Sequence, residues 1–414
     1  MAFITANNEK IVIKLGGSIL DNIENIEKAS ELIHKQFLNG KKIIIVISAL
    51  KGVTDNLLNL AKKANPNISD AELASILSMG EKISARIFSA ALSNKKLKTI
   101  VIDTESKYWP IITDDNYLDA NPILEETETL IKNNLEPLLN EGFIPIVCGF
   151  IGKNKKGEIT TLGRGGSDTT AILIGNCINA KEVLFVKDVG AIFSIDPKKV
   201  SNAKIVKNLS IDEAYLLTSG GAKILQSKAL KYVKNGMIIK IIDLSGSELS
   251  TISSGEIPEL KIETFDKPIS MLTIVFERKL QETSIESLIN EIRKMNVEVV
   301  LTSFDLNSAI LYLAYENSLN EILKKIHYLI IEKGLGKAMS IFEDLIMITI
   351  KGSAIETVPG IIDRIIHPLA ERRINIYGLA TISSSIRLFI LKNDFENVLN
   401  LIKNVLEVIK NEKD

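Results

Sequence analysis

Residues 41–49 read KKIIIVISA, an unbroken apolar run behind two lysines. A strand with one wet face alternates polar and apolar side chains. A run without alternation suits a strand covered on both faces, as inside a parallel sheet. Parallel neighbours need long crossovers, usually helices. The chain up to residue 243 keeps that rhythm. Strands are expected at 10–16 (KIVIKLG), 98–103 (KTIVID), 143–149 (FIPIVCG), 183–188 (VLFVKD) and 237–243 (MIIKIID). Helical spacing is expected at 24–38, 54–64, 69–93, 121–141, 211–218 and 221–235. The pattern predicts an α/β domain with a mostly parallel sheet flanked by helices. Function in such a sheet gathers at the carboxyl ends of the strands.

Residues 245–264 (SGSELSTISSGEIPELKIET) are rich in Ser, Gly and Glu and are expected to close this domain. Beyond them the rhythm changes. Strands are expected at 269–276, 297–303 and 308–314, with helices at 281–295 and 317–332. The scheme repeats with strands at 344–351, 374–380 and 385–391 and helices at 357–372 and 393–409. A β-α-β-β-α pattern occurring twice, at a period of about 70–75 residues, predicts two small ferredoxin-like βαββαβ units. The expected domains are 1–264, 265–340 and 341–414.

Composition removes several function classes. The 50 basic and 51 acidic residues nearly cancel and form no basic block, so no nucleic-acid partner is expected. Cys148 and Cys177 are the only cysteines and lack metal-ligand spacing, so both are expected as reduced core thiols. His34, His327 and His367 are scattered, leaving little material for a histidine metal site or triad. No residue is expected to ligate a metal directly. The opening MAFITANNEKIVIKL lacks a signal peptide's apolar core. No run of about 18 apolar residues exists to span a bilayer. No membrane association and a cytoplasmic location are expected.

Residues 160–175 (TTLGRGGSDTTAILIG) carry the densest chemistry. Gly163, Gly165 and Gly166 permit a tight turn and a close ligand approach. Ser167 and Asp168 are good N-cap residues for the apolar helix that follows, and free amides at a helix start attract anions. The stretch matches neither the dinucleotide GxGxxG nor the phosphate-loop GxxxxGK[ST], and alone it reads first as a glycine-rich turn before a core helix.

Other strand ends add to it. KLGGS (14–18) offers Lys14 as a point charge and Gly16, Gly17 and Ser18 as amides for a phosphate; Lys14 alone is equally a solvated strand-end lysine. In ISALKGVTDNLL (47–58), Ser48 and Thr54 suit a carboxylate or, for Thr54, a helix cap. GEKISARIFSAAL (80–92) carries Glu81, which suits either a helix dipole or a substrate ammonium. KDVGAIFSIDPKKV (187–200) is either a nucleoside-binding loop or an ordinary one. GGAKILQSKAL (220–230) presents Lys223 at an expected helix start, where a bound phosphate would remove the unfavourable dipole. Glycines, lysines, one arginine and carboxylates at strand ends, with no His or Cys nucleophile, form the set that phosphoryl transfer needs.

TTLGRGGSDTTA, KLGGS, GEKISARIFSAAL, IITDDNYLDANPILEET (111–127) and EAYLLTSGGAKILQSKAL (213–230) together resemble the aspartate kinases of the amino-acid kinase superfamily, in that family's order. The likeness covers about residues 10–245, and the tail resembles the paired ACT domains that bind effector amino acids. The resemblance implies transfer of the ATP γ-phosphoryl group to the β-carboxylate of L-aspartate, the first step of lysine, threonine and methionine biosynthesis. It implies catalytic roles for Lys14 and Asp168, and substrate binding by Ser48, Thr54, Glu81 and Arg164. It implies nucleotide binding by Gly16, Gly17, Ser18, Gly165, Gly166, Ser167, Lys187, Asp188, Phe193, Lys198 and Lys223. Mg²⁺ is implied as an ion held mostly by ATP and water. An amino-acid effector and at least a homodimer are also implied.

The chain departs from the family pattern at Leu15 and at GGSI (16–19), closer to acetylglutamate and related kinases. It also departs at Lys187, Ala191, Phe193, Lys198, Gln226, Ser227 and Glu298. Two further readings follow: a kinase of another small carboxylate, such as glutamate or acetylglutamate, and a catalytically weak effector-binding homologue.

Overall fold

The computed structural model describes residues 9–187, 191–222, 224–234, 236–253, 260–265, 267–276, 282–305, 307–315, 319–334, 336–352, 355, 360–382 and 384–411. The chain divides into two compact units, Met1–Ile257 and Pro258–Asp414.

The first unit is built on an eight-stranded sheet. Its order is Asn208–Leu209, Glu248–Ile252, Ile238–Ile242, Glu182–Val186, Lys10–Leu15, Lys42–Ile47, Ile144–Cys148 and Thr99–Ile102. The pairs are parallel except between Ile238–Ile242 and Glu248–Ile252. The central strands are dry on both faces: Ile11, Val12, Ile13 and Ile44 through Ile47 are wholly buried. That burial is the physical meaning of the unbroken apolar runs. The Gly166–Cys177 helix is buried along its whole length and packs on these strands. The Asp70–Ser93 helix starts at a capping box in which Ser69 and Glu72 satisfy each other's backbone N–H groups.

Lys10–Leu15 has the later strand Glu182–Val186 on one side and the earlier strand Lys42–Ile47 on the other. The strand order reverses there, and open α/β sheets bind ligands at such a switch point. Lys14 sits at the carboxyl end of that strand.

Two expectations for residues 221–264 are corrected. The helix expected over 221–235 is reduced, among the described residues, to Ser227–Leu230. Residues 245–264, expected as a closing linker, contain the strands Glu248–Ile252 and Lys261–Thr264. Both are short and polar on one face, so their composition resembles a loop.

The second unit is one antiparallel sheet, ordered Glu298–Asp305, Ser308–Ala314, Ile269–Val275, Ala338–Lys351, Ser385–Leu391 and Gly378–Ile382. The Ala338–Lys351 strand serves two units at once. Its first part, from Ala338 to Phe342, pairs with Ile269–Val275. Its second part, from Leu345 to Lys351, pairs with Ser385–Leu391. Asp344, between them, has φ +60°, a local break where the strand passes from one set of partners to the other. The first part completes a βαββαβ unit with the Glu282–Lys294 and Leu319–His327 helices. The second part opens another, with the Ile361–Glu371 and Phe395–Asn411 helices. Its fourth strand is Lys261–Thr264, which precedes Ile269–Val275 in sequence and pairs antiparallel with the end of Ala338–Lys351. The two βαββαβ units have separate apolar cores, around Leu272 and Leu311 and around Ile348 and Leu388.

Both cysteines are buried and unpaired. No helix among the described residues is long and apolar enough to cross a membrane.

Candidate active site

The parallel register brings distant segments to one edge of the first sheet. Ser48 N–H continues the ladder to the Leu15 carbonyl at 3.1 Å, and Gly149 N–H to that of Ile47 at 2.9 Å. KLGGS, Ser48, Gly149 and Lys187 therefore all leave the sheet at the carboxyl ends of its strands.

At this edge Lys14 Nζ lies 2.9 Å from Asp168 Oδ1, and both side chains are mostly buried. Asp168 Oδ2 accepts a hydrogen bond from the Gln226 backbone N–H at 3.3 Å. The lysine that ends the central strand is thus tied, through one carboxylate, to the first turn of the Gly166–Cys177 helix and to the residue preceding Ser227–Leu230. Sequence reasoning found Lys14 and Asp168. It marked Gln226 only as a departure from the family pattern, with no signal for this contact, made by a backbone group 58 residues away.

Glu81 is the second charged element, 3 % exposed in the middle of its helix. The helix begins at Asp70, so the expected dipole role fails: the field of free N–H groups fades within the first turn. Glu81 Oε1 accepts from the Ala49 N–H at 3.0 Å. Oε2 has no hydrogen-bond partner among the described residues. Burial pushes this carboxyl up to about 8, opposed by the Ala49 N–H and by the nearby positive charge of Lys14. A buried carboxylate lacking a partner is costly unless a cation meets it.

The turn between these groups corrects the capping expectation. The N-cap of the Gly166–Cys177 helix is Gly165, with φ +69°, and Ser167 and Asp168 lie inside the first turn. A left-handed backbone and the Gln226 side chain, which would overlap a Cβ built on Gly165, both demand glycine there. Substituting Gly165→Ala is expected to destabilise the protein by about 2–4 kcal/mol, combining backbone strain and overpacking. The readout is the urea midpoint of unfolding at constant slope; an unchanged midpoint would show that the turn has room. Arg164, between Gly163 and Gly165, is exposed and makes no hydrogen bond or ion pair among the described residues.

Thr54 is likewise not a cap. Gly52, with φ +77°, is the N-cap of Val53–Ala64, and Thr54 lies within the helix. Lys187 Nζ donates to the Ile224 carbonyl. Phe193 is half-buried in a two-residue strand paired with Ile205. Lys198 is exposed, and its backbone N–H bonds Asp196 Oδ1 at 2.9 Å, closing the Asp-Pro turn. Asp188 and Lys223 lie outside the described residues. The structure therefore brings Lys14, Asp168, Glu81 and the glycine turn together at the switch point. Such an edge, carrying a buried carboxylate, a lysine–aspartate pair and an exposed arginine, can bind a zwitterion and neutralise charge on a transferring anionic group.

The amino acid kinase family model matches residues 9–243. The chain is 29% identical to the aspartokinase of Geobacillus stearothermophilus over 386 residues, 88% of this chain and 89% of that one. In fold it is similar to the crystal structure of aspartate kinase from Synechocystis, with a TM-score of 0.75 and 23% identity over 96% of this chain and 69% of that one. It is also similar to E. coli aspartokinase III in complex with aspartate and ADP, with a TM-score of 0.54 and 21% identity over 96% and 100% of the two chains.

Proposed function

The chain belongs to the amino acid kinase family, and on that premise we propose that it is an aspartate kinase. It transfers the γ-phosphoryl group of ATP to the β-carboxylate of L-aspartate, giving 4-phospho-L-aspartate and ADP. The observation that carries the reading is Glu81: a buried carboxylate with one unpartnered oxygen, beside the Lys14–Asp168 pair. It supplies the counter-charge for an α-ammonium group. The likeness to aspartokinases along 88% of the chain supports the choice of substrate.

The chemistry needs no general base, because the β-carboxylate is already ionised at pH 7. One carboxylate oxygen forms the new bond to the γ-phosphorus while the bond to the ADP oxygen breaks. Lys14 neutralises charge on the phosphoryl oxygens, and Asp168 and the Gln226 N–H hold Lys14 in place. Arg164 pairs with the substrate α-carboxylate through its planar fork, with Ser48 and Thr54 beside it. Gly16, Gly17, Ser18, Gly165, Gly166 and Ser167 line the phosphates. Lys187, Asp188, Phe193, Lys198 and Lys223 form the nucleotide side.

Among the described residues no three carboxylate, imidazole or thiol groups converge to hold a metal. Mg²⁺ belongs to this reading as an ion carried mostly by the ATP phosphates and water. An amino-acid effector acting at the ACT-like units, and at least a homodimer, belong to the same reading, as does a role at the start of lysine, threonine and methionine biosynthesis.

The test is acyl-phosphate formation trapped with hydroxylamine, using wild type and Asp168→Ala. L-Aspartate, glutamate and N-acetylglutamate are offered separately, and lysine and threonine are added in turn. Aspartyl hydroxamate from wild type, reduced at least about a hundredfold in the variant, is the expected result. Product only with another carboxylate would replace the substrate assignment. Amino-acid binding without turnover of any acceptor would favour an effector-binding homologue.

A further inference from the structure

We propose that Lys228 is a positioning residue for substrate recognition: it clamps the turn that presents Arg164. Lys228 Nζ lies 2.7 Å from Asp119 Oδ1, 2.9 Å from the Ala120 carbonyl, 3.2 Å from the Leu162 carbonyl and 3.4 Å from the Asp119 carbonyl. An ammonium has three protons to donate, so the first three oxygens take the best bonds. The Lys228 side chain is largely covered, 21% exposed.

The location gives these bonds their meaning. Backbone bonds sew the Ile159–Thr161 strand to the loop beside it: Thr161 N–H to the Tyr117 carbonyl at 2.7 Å, and Ala120 N–H to the Thr161 carbonyl at 2.8 Å. Lys228 extends that seam by one residue, to the Leu162 carbonyl, where the chain turns into the left-handed Gly163. Asp119, held by Lys228, lies so close to Gly163 that a Cβ there would overlap its carboxylate. Gln226, two residues before Lys228, covers Gly165 in the same way. The turn is therefore bracketed on both sides, and Arg164 is the residue between the brackets. Two flanking glycines would otherwise leave its backbone free to take many conformations. A guanidinium that recognises a carboxylate at two points needs one orientation.

The inference rests on the reading of Arg164 as the substrate-carboxylate contact, so the experiment has a readout independent of turnover. Wild type, Lys228→Met, Lys228→Arg and Asp119→Asn are compared in steady-state kinetics and in amide hydrogen exchange without substrates. In Lys228→Met, KM for aspartate is expected to rise about tenfold, with kcat and the nucleotide KM changed less than about threefold. Amides of residues 160–168 are expected to exchange faster, while those of the central strands stay protected. Asp119→Asn, a milder change that keeps the shape, is expected to shift both readouts the same way. Lys228→Arg, which can still donate to the same oxygens, is expected to restore most of the aspartate KM.

Unchanged exchange at 160–168 in Lys228→Met would overturn the clamp. So would kcat and both KM values moving together with no rescue by arginine, which is the signature of general destabilisation. If wild type phosphorylates no aspartate, the functional reading falls, and the exchange of residues 160–168 alone decides the clamp.

Discussion

Lys14→Met is expected to lower kcat about a thousandfold, the loss typical of removing one preorganised charge-stabilising group from a transition state. Methionine keeps the length and apolar body of the lysine stem, so the central strand, whose neighbours Ile11 to Ile13 are wholly buried, keeps its packing. What disappears is the positive charge 2.9 Å from Asp168. Because that charge acts on the phosphoryl oxygens in flight, kcat is expected to fall far more than the aspartate KM rises. Arginine is not expected to substitute, since a planar fork does not occupy the place of a compact ammonium. Steady-state kinetics with a circular-dichroism check of folding would decide it. A folded variant with kcat within about tenfold of wild type would remove Lys14 from the chemistry.

Glu81→Gln is expected to raise the aspartate KM by about a hundredfold, the worth of a buried charge-assisted hydrogen bond to the α-ammonium. The same variant is expected to be more stable than wild type at pH 8. The sign follows from linkage. In the unfolded chain Glu81 loses its proton near 4.5, whereas in the fold it keeps it up to about 8. Between those values the native state binds the extra proton, so wild-type stability falls as pH rises and levels off above about 8. The loss is bounded at about 5 kcal/mol, the full separation of 4.5 from about 8. Glutamine still accepts the Ala49 N–H but carries no proton to lose, so its stability lacks this slope. The substrate side has the opposite sign: kcat/KM for aspartate in wild type should rise toward pH 8 as the carboxylate becomes available, and this rise should be absent in Glu81→Gln. Melting curves and kinetics between pH 5 and about 9 test both. A parallel pH dependence in the two proteins would show that Glu81 faces no substrate cation. Function and stability thus oppose each other at this one side chain, a common compromise at active sites.

Local patterning carries information over a few residues, and that is the range over which the sequence was decisive. KIIIVI suits a doubly covered strand, and its neighbours of the same kind point to a parallel sheet. Lys14, Asp168 and Arg164 were marked by glycine-rich motifs and by the family resemblance that those motifs carry. Where two local signals competed, the wrong one was favoured. Ser167, Asp168 and Thr54 are good caps by type, yet the turns before them needed φ values of +69° and +77°, so glycine took both N-cap positions. Glu81 by type suits either a helix start or a substrate ammonium, and a helix that begins at Asp70 leaves only the second.

The remaining features rest on contacts that no window along the chain contains. Ala49 meets Glu81 across 32 residues, Gln226 meets Asp168 across 58, and Lys228 meets Asp119 across 109. The fourth strand of the second βαββαβ unit comes from residues 261–264, placed beside Lys351 only by pairing. The sequence by itself therefore determined most of the strands and helices and named the charged residues proposed for the reaction. Only the tertiary structure decided which of those charges meet, which carboxylate oxygen is left without a partner, and what holds the glycine turn. Apolar periodicity and backbone propensity are properties of neighbours in the chain, whereas burial and ion pairing depend on neighbours in space.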